Sequence, residues 1–512
     1  PQASPEARLE VAPAATAADV AHLTPCREGT YPVHQAPRLD ESAGRGLADL
    51  RLTAALVASR LTAAAIRLAH RGGGTSAPGL VADRIDPDLA TKLTRVLPDG
   101  AVVIAGTNGK TTIARMVADM LESDGRRVVH NRSGSNMMRG IVATLARRAT
   151  VSGRLDADVA VIEADENALP DVLSKVGPRI VLLNNLFRDQ LDRYGEIDHI
   201  ATRWRAALSE LTSETAVIVN GDDPSLVAMT DGLSARRIMV GLDDPKHALE
   251  STPLMMDAAN CRYCGTDLAY EAIYAGHLGA WRCPGCGRER PELDLVGRDI
   301  ELHGVESLAM TVDVGGSTTR VAVGVPGLYN AYNLLAAVAV ARAAGVGDSA
   351  IATALKGFSA AFGRIERVSY RGRDLLLVLA KNPVGFDEVL RLLTHDAGAL
   401  TVPTMISIND RSADGSDVSW LWDVDFERLA STTTDLYAAG LRAADMANRL
   451  KYAGVPLDRI HEVDGERSAS LDRFVGELPD AGQGYLLCTY TAMLDLRAAL
   501  ADRGAVRPFW EQ

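Results

Sequence analysis

The chain has 512 residues, length enough for two to four domains with well-buried cores. Acidic residues outnumber basic ones, 66 to 54, and the net charge of −12 argues against a general nucleic-acid binder, whose phosphate contacts need a basic surface. Six cysteines over this length are too few for a disulfide scaffold and fit a reducing, cytoplasmic compartment.

Residues 1–45 are rich in Pro, Ala and Gly, without regular periodicity. They lack the basic start and apolar segment of a secretory signal, so a mobile extension is expected, and the missing initiating Met suggests a processed or incomplete start. From Gly46 to about Leu97 apolar residues recur at helical spacing, broken by AHRGGGTSAPG. AVVIAGTNGKTTIARMVADMLESDG then reads as strand, glycine loop and helix. Further strands are predicted near 127–131, 157–165, 179–185 and 216–224, mostly separated by helices, which indicates a largely parallel sheet with crossover helices. Periodicity lapses at about 255–290, as in an insertion, and a β-rich stretch at 292–325 returns to the main domain. NLLAAVAVARAAGVG from Asn333 is helical and apolar, but Arg342 interrupts it and no membrane span is expected. After the connector FGRIERVSYRGRD the alternation resumes, with strands at DLLLVLA, TVPTMISIND, TTTDLYAAG and GYLLCTYT and helices from Phe386, near Phe426 and near Arg442. The chain therefore divides into an extension (1–45), an α/β nucleotide-type domain (46–370) and a smaller α/β domain (371–512).

AGTNGKTT at 105–112 carries the sharpest chemistry. A strand delivers small residues (Gly106, Thr107, Asn108, Gly109) to a turn where backbone N–H groups can face a phosphate. Lys110 supplies a point charge, Thr111 a hydroxyl for Mg²⁺, and Thr111 and Thr112 open the helix whose N-terminus favours an anion. Position 104 is Ile, so the loop is the short GxxGKT form.

Cys261, Cys264, Cys283 and Cys286 form CxxC-x18-CxxC, within the range of a four-thiolate zinc site. Four protein ligands leave no open position, so the zinc is expected to be structural, stabilising its own insertion and activating nothing. The redox alternative lacks a thioredoxin-like βαβ context. His277, between the pairs, is expected to be an ordinary exposed histidine. Cys488 is expected to be a buried small hydrophobe.

NDRSADGSDVSWLWDVDFE at 409–427 places Asp410, Asp414, Asp417, Asp423 and Asp425 with two tryptophans after a strand, where ligand sites collect in α/β sheets. The bland alternative is a solvated acidic loop anchored by Trp420 and Trp422.

GTNGKTT also resembles the signature of the Mur ligase superfamily, which joins carboxylates to amines through an acyl phosphate made from ATP. VIEADE places Glu163 at that family's metal-ligating glutamate, and NNLFRDQLDRYGEID resembles a segment in which Gln190 stands at the usual metal-binding histidine. VNGDDP carries Asn220, Asp222 and Asp223 at the nucleotide-proximal segment, PGLYNAYNLLAA carries Asn330 and Asn333 at the adenine-side motif, and GRIE carries Arg364 at the phosphate-contacting arginine. Together with the four-cysteine insertion, LAKNPVGFDEVL and ADGSDVSWLWDVDFE, the chain from about residue 47 onward resembles the MurT family, the synthetase subunits of lipid II isoglutaminyl synthase. That resemblance implies a Mur ligase-type parallel-sheet ATPase domain with a zinc ribbon, then a Rossmann-like C-terminal domain. It also implies ATP with Mg²⁺, a lipid II substrate at the inner face of the cytoplasmic membrane, and amidation of its D-glutamate to D-isoglutamine. Ammonia would come from a GatD-type glutaminase partner whose Cys–His pair Asp417 completes as catalytic aspartate. Lys381 stands where other Mur ligases have a histidine. The alternatives are a stand-alone Mur-type amino-acid ligase and a non-catalytic zinc-ribbon module with a degenerate nucleotide fold.

Overall fold

The computed structural model describes residues 49–68, 76–131, 135–189, 197–253, 256–358, 365–394, 398–463 and 467–507. The expected N-terminal extension, Gln190 and Arg364 lie outside the described residues.

Three helices lead in: α1 (Leu50–Leu68), α2 (Ala77–Ile85) and α3 (Leu89–Thr94). Strand–helix alternation follows through β1 (Ala101–Ala105), α4 (Lys110–Ser123), β2 (Val128–His130), α5 (Met138–Arg148), β3 (Val159–Glu163), α6 (Leu169–Val176), β4 (Ile180–Leu183), α7 (Ile197–Ser209), β5 (Ala216–Asn220), α8 (Pro224–Thr230) and β6 (Arg236–Leu242). The insertion forms a two-stranded hairpin, β7 (Ala269–Ala275) and β8 (Leu278–Arg282). Three strands then rejoin the sheet, β9 (Leu295–His303), β10 (Ser307–Val314) and β11 (Ser317–Val323), followed by α9 (Leu328–Ala343) and α10 (Asp348–Lys356).

The large sheet has nine strands in the order β11-β10-β9-β6-β5-β4-β1-β3-β2. It is parallel from β2 across to β9 and antiparallel over the last two pairs. β1 lies between β3 and β4, where the strand order reverses, and ligands in open α/β sheets bind at the carboxyl ends of strands at such a point. The five residues of β1 are all buried, as a strand covered on both faces requires.

The apolar run at Asn333 belongs to α9, which is buried nearly all round against the sheet and α4. An all-apolar helix belongs in a protein core as readily as in a membrane. Arg342 turns outward at its end to pair with Asp348 at 2.7 Å. Among the described residues no helix is long and apolar enough to cross a membrane.

The second sheet comprises β12 (Ile365–Tyr370), β13 (Arg373–Leu379), β14 (Thr404–Ser407), β15 (Leu436–Ala439), β16 (Ile460–Glu462) and β17 (Gln483–Cys488). Its order is β12-β13-β17-β14-β15-β16, parallel apart from the β12–β13 hairpin. α11 (Pro383–Thr394), α12 (Ala443–Tyr452), α13 (Arg467–Glu477) and α14 (Tyr490–Asp502) cover its two faces. The helix expected near Phe426 is instead two 3₁₀ turns, Ser419–Asp423 and Phe426–Leu429. The buried Arg449 guanidinium takes the carbonyls of Leu421 and Val424, which a continuous helix would have used internally. The short β16 and the helices α13 and α14 are not among the elements expected from the sequence.

Asp387, on α11, is pushed up to about 7 by burial, reinforced by the charges of Asp425 and Glu388 and opposed by the Asp425 N–H it accepts. A carboxyl raised in this way stabilises the folded form only while protonated, so its contribution is lost as pH climbs from about 4 to about 7. Asp387→Asn keeps the acceptor oxygen and should flatten that loss. Chemical denaturation at pH 5 and pH 8 should show the variant gaining on the parent at the higher pH, on the order of 1.4 kcal/mol for each pH unit between 5 and about 7.

Candidate active site

β1 ends at Ala105, and α4 begins at Lys110 with Gly109 as its N-cap at φ 89°. A Cβ at Gly109 would come within 2.0 Å of Asn333 Oδ1, so this turn needs glycine for both conformation and space. The N–H groups opening α4 have no helical acceptor and face outward at the sheet's carboxyl edge. The preceding part of the loop serves a different purpose. Thr107 N–H goes to the Asn185 carbonyl (3.1 Å) and Asn108 N–H to Asn185 Oδ1 (2.8 Å). Thr107 Oγ1 also donates to the Phe187 carbonyl and accepts from the Phe187 N–H at 3.0 Å. Thr107 and Asn108 thus fix the loop's shape, which leaves the first turn of α4 to meet a phosphate.

Lys110 is only 5 % exposed. Its Nζ contacts the Gly106 and Thr107 carbonyls and pairs with Glu166 at 3.1 Å. Burial opposes the ammonium, but the charges of Glu166, Glu163, Asp165 and Asp189 outweigh it and hold the lysine above its ordinary value. It is a fixed cation at neutral pH. Glu163, at the end of β3, has both backbone groups held by the Asn131 amide at 2.9 Å. Buried carboxylate oxygens of Glu163, Glu166 and Asp189 make no hydrogen bond. Oxygens of that kind fit a divalent cation such as Mg²⁺, which prefers carboxylate, hydroxyl and phosphate oxygens.

The two large domains meet over this loop. Asn382, just before α11, exchanges contacts with Asn108 through both amide groups, Nδ2 to Asn108 Oδ1 at 3.0 Å. Lys381 forms an ion pair with Asp189. Between the domains opens a cleft of about 920 Å³, open mouth included, that runs from Gly109 and Thr112 past Asn330 and Asn333 to Lys381 and apolar residues of α11. Asn333 donates to Asn330 Oδ1 and accepts from Asn184, which joins this pair to the loop. Asn220 donates to the Asn184 carbonyl and belongs to the same network.

Asp222 is a different case. It is fully buried and accepts from Tyr332 (2.7 Å), Arg290 (3.0 Å) and the Leu242 N–H (3.0 Å). Burial raises its carboxyl above the usual range against the pull of Arg290. Its oxygens are committed to tying β6, α9 and the end of the insertion together. Asp223 caps α8 through Ser225 and Leu226.

The four cysteine sulfurs all lie within 4.8 Å of one another. Cys261–Cys286 is 3.7 Å and Cys264–Cys283 is 3.4 Å, against about 3.8 Å for a tetrahedron with Zn–S bonds of about 2.3 Å. The set fits a closed zinc centre. Cys283→Ser, or chelation of the parent, should lower stability by an amount on the order of several kcal/mol, read as a lower unfolding temperature in calorimetry, with loss of zinc by atomic absorption; an unchanged transition would count against a structural metal. His277 departs from expectation, since it is fully buried at 0 % exposure.

In the second domain the acidic loop separates into distinct roles. Asp414 is buried, accepts from the Thr491 N–H (2.7 Å) and hydroxyl, and is raised by burial. Asp410 pairs with Arg442 at 2.8 Å. Asp425 pairs with Arg428 at 2.9 Å, and Asp423 lies 3.7 Å from Arg188. Asp417 is exposed, with Oδ1 accepting the Ser419 N–H at 2.8 Å. Cys488 is buried in β17, as expected, and its thiol is pushed up by burial. Sequence reasoning passed over Glu166, Asp189, Asn184, Asn185 and Asn382, although each lies within a motif already singled out.

Family models match residues 104–265 (Mur ligase middle domain) and residues 379–493 (MurT ligase C-terminal). The chain is 32% identical over 464 residues to the lipid II isoglutaminyl synthase (glutamine-hydrolyzing) subunit MurT of Streptococcus pneumoniae (strain ATCC BAA-255 / R6), covering 90% of this chain and 99% of that one. Its fold is similar to a pseudomurein peptide ligase type C from Methanothermus fervidus, with TM-score 0.60 and 18% identity over 79% of this chain and 78% of that one. It is also similar to the MurF ligase from Thermotoga maritima in complex with ADP, with TM-score 0.57 and 14% identity over 83% and 84%. With a Mur ligase fold, a phosphate loop at its switch point and this similarity along nearly its whole length, the chain belongs to the MurT family of Mur ligase-type lipid II isoglutaminyl synthase subunits.

Proposed function

We propose that this chain uses ATP with Mg²⁺ to activate the α-carboxylate of D-glutamate in the lipid II stem peptide as an acyl phosphate. Ammonia from a GatD-type glutaminase subunit then converts that intermediate to D-isoglutamine. The observation that carries the reading is the buried Lys110–Glu166 pair at the mouth of α4, beside the unpartnered Glu163 oxygen and under the interdomain contacts of Asn382 and Lys381.

A substrate carboxylate oxygen attacks the γ-phosphorus and ADP leaves. Ammonia nitrogen then attacks the acyl carbon, phosphate leaves, and the nitrogen sheds a proton. Lys110 and the N–H groups of α4 offset charge on the phosphoryl oxygens as it develops. Mg²⁺, when held by Thr111 and Glu163, would supply further neutralisation at those oxygens. The Asn108–Asn382 and Asp189–Lys381 contacts close the second domain over the loop, excluding water that would hydrolyse an acyl phosphate. Asp417, exposed on the second domain, would orient the histidine of the partner's Cys–His pair. The substrate is membrane-linked, so the enzyme would act in the cytoplasm at the inner membrane face.

The test is an amidation assay with lipid II, ATP and glutamine, run with and without a glutaminase partner. Amidation that requires the partner, or ammonia in its place, is the expected result. Addition of an amino acid by this chain alone would replace the proposal with a stand-alone ligase.

A further inference from the structure

The inserted hairpin does more than carry four cysteines. Its tip, Gly276 and His277 between β7 and β8, is driven into the central domain beside the phosphate loop. His277 Nε2 lies 3.2 Å from Asp223 Oδ2 without making a directed hydrogen bond, and its ring packs on Phe187 with centroids 4.9 Å apart. Asp223 Oδ2 also takes the N–H of Leu186, the residue before Phe187, at 3.0 Å. Phe187 in turn holds the Thr107 hydroxyl through both of its backbone groups. One step on either side of the tip, Ala275 and Leu278 line the interdomain cleft itself, together with Phe187. The tip is packed closely against the wall of the cleft. A Cβ on Gly276 would meet Phe187 Cε1 at 3.0 Å and Val384 of α11 at 3.1 Å. The hairpin's flanks are clamped to the same core, with Gly279 N–H and the Trp281 indole reaching the carbonyls of Asp222 and Gly221.

We infer that His277 is a positioning residue for nucleotide binding, through which the zinc-ribbon hairpin sets the wall of the cleft and the shape of the phosphate loop. The argument rests on the reading of the cleft as the ATP site. A buried ring braced on Phe187 and Asp223 fixes the 186–187 backbone, and that backbone fixes Thr107. Losing the brace should let the loop and the cleft wall drift, which weakens nucleotide binding before it touches the phosphoryl step. The family's zinc ribbon then becomes part of the binding site's architecture and not only a self-stabilising insertion.

The experiment uses the full chain and its glutaminase partner. Calorimetric titration with the non-hydrolysable β,γ-imido analogue of ATP and Mg²⁺ compares the parent, His277→Ala, and a control, Tyr263→Ala. Tyr263 lies on the outer face of the ribbon, stacked under Arg288 and bonded to Asp231 at 3.0 Å, away from the cleft. His277→Ala is expected to raise the analogue's Kd and the KM for ATP about tenfold, the loss of one buried ring contact, with kcat within about twofold and zinc content unchanged. Tyr263→Ala is expected to lower thermal stability and leave Kd unchanged. His277→Ala with parental Kd and KM, or with the loss confined to kcat, overturns the inference. Failure of the parent to bind the analogue overturns the reading of the cleft instead. If His277→Ala proves unstable, His277→Gln, which keeps a polar group near Asp223 but not the ring on Phe187, is expected to show an intermediate Kd; parental Kd in that variant would overturn the role of the ring.

Discussion

Lys110→Ala is expected to reduce ATP-dependent amidation by about 10³-fold, because it removes the fixed charge facing the transferring phosphoryl group. The same substitution leaves Glu166 buried without its partner, with Glu163, Asp165 and Asp189 nearby. An unpaired buried carboxylate costs roughly 3–5 kcal/mol, so the variant should also be less stable. Denaturant unfolding of the variant against the parent reads that cost. Pairing Lys110→Met with Glu166→Gln removes both charges, and should restore much of the stability while amidation stays absent. Recovery of activity in that pair would show that Lys110 acts only as scaffold.

Asp417→Asn is expected to lower glutamine-driven amidation by about 10³-fold or more, while amidation driven by added ammonium salts stays near the parental rate. The magnitude is that of replacing the carboxylate of a nucleophile–histidine–acid triad. The substitution is clean, because asparagine keeps the Oδ1 that accepts the Ser419 N–H and so preserves the local turn. The neighbouring acid offers the contrast. Asp414 is buried and bonded to Thr491, so Asp414→Asn should disturb the loop itself and lower stability. Equal loss of both activities in Asp417→Asn would remove it from the partner's triad.

Much of this molecule is legible along the chain because its signals are local. The phosphate loop needs a strand, a glycine turn and a helix start within a dozen residues. The cysteine pairs have a spacing that fits a metal site, and the alternation of strands and helices forecasts two parallel-sheet domains. The acids of the 409–427 loop were visible as a cluster, but their sorting was not. Whether an aspartate is buried on Thr491, paired with Arg442 or exposed depends on residues some 30 to 80 positions away.

Position relative to distant segments is what composition and periodicity do not carry. Asp222, expected beside the nucleotide, has its oxygens occupied by Tyr332 and Arg290, which sit 110 and 68 residues away in sequence. His277, expected at the surface, is buried because the hairpin folds back onto Phe187 and Asp223. Asn382 meets Asn108 of the phosphate loop, and Lys381 meets Asp189, because the two domains pack on each other. The sequence by itself determined the chemistry available here: a phosphate loop, four thiolates and a family of ligases. Only the tertiary structure decided which of the side chains are buried, paired or left facing the cleft, since burial and pairing are properties of the packed fold and not of the residue.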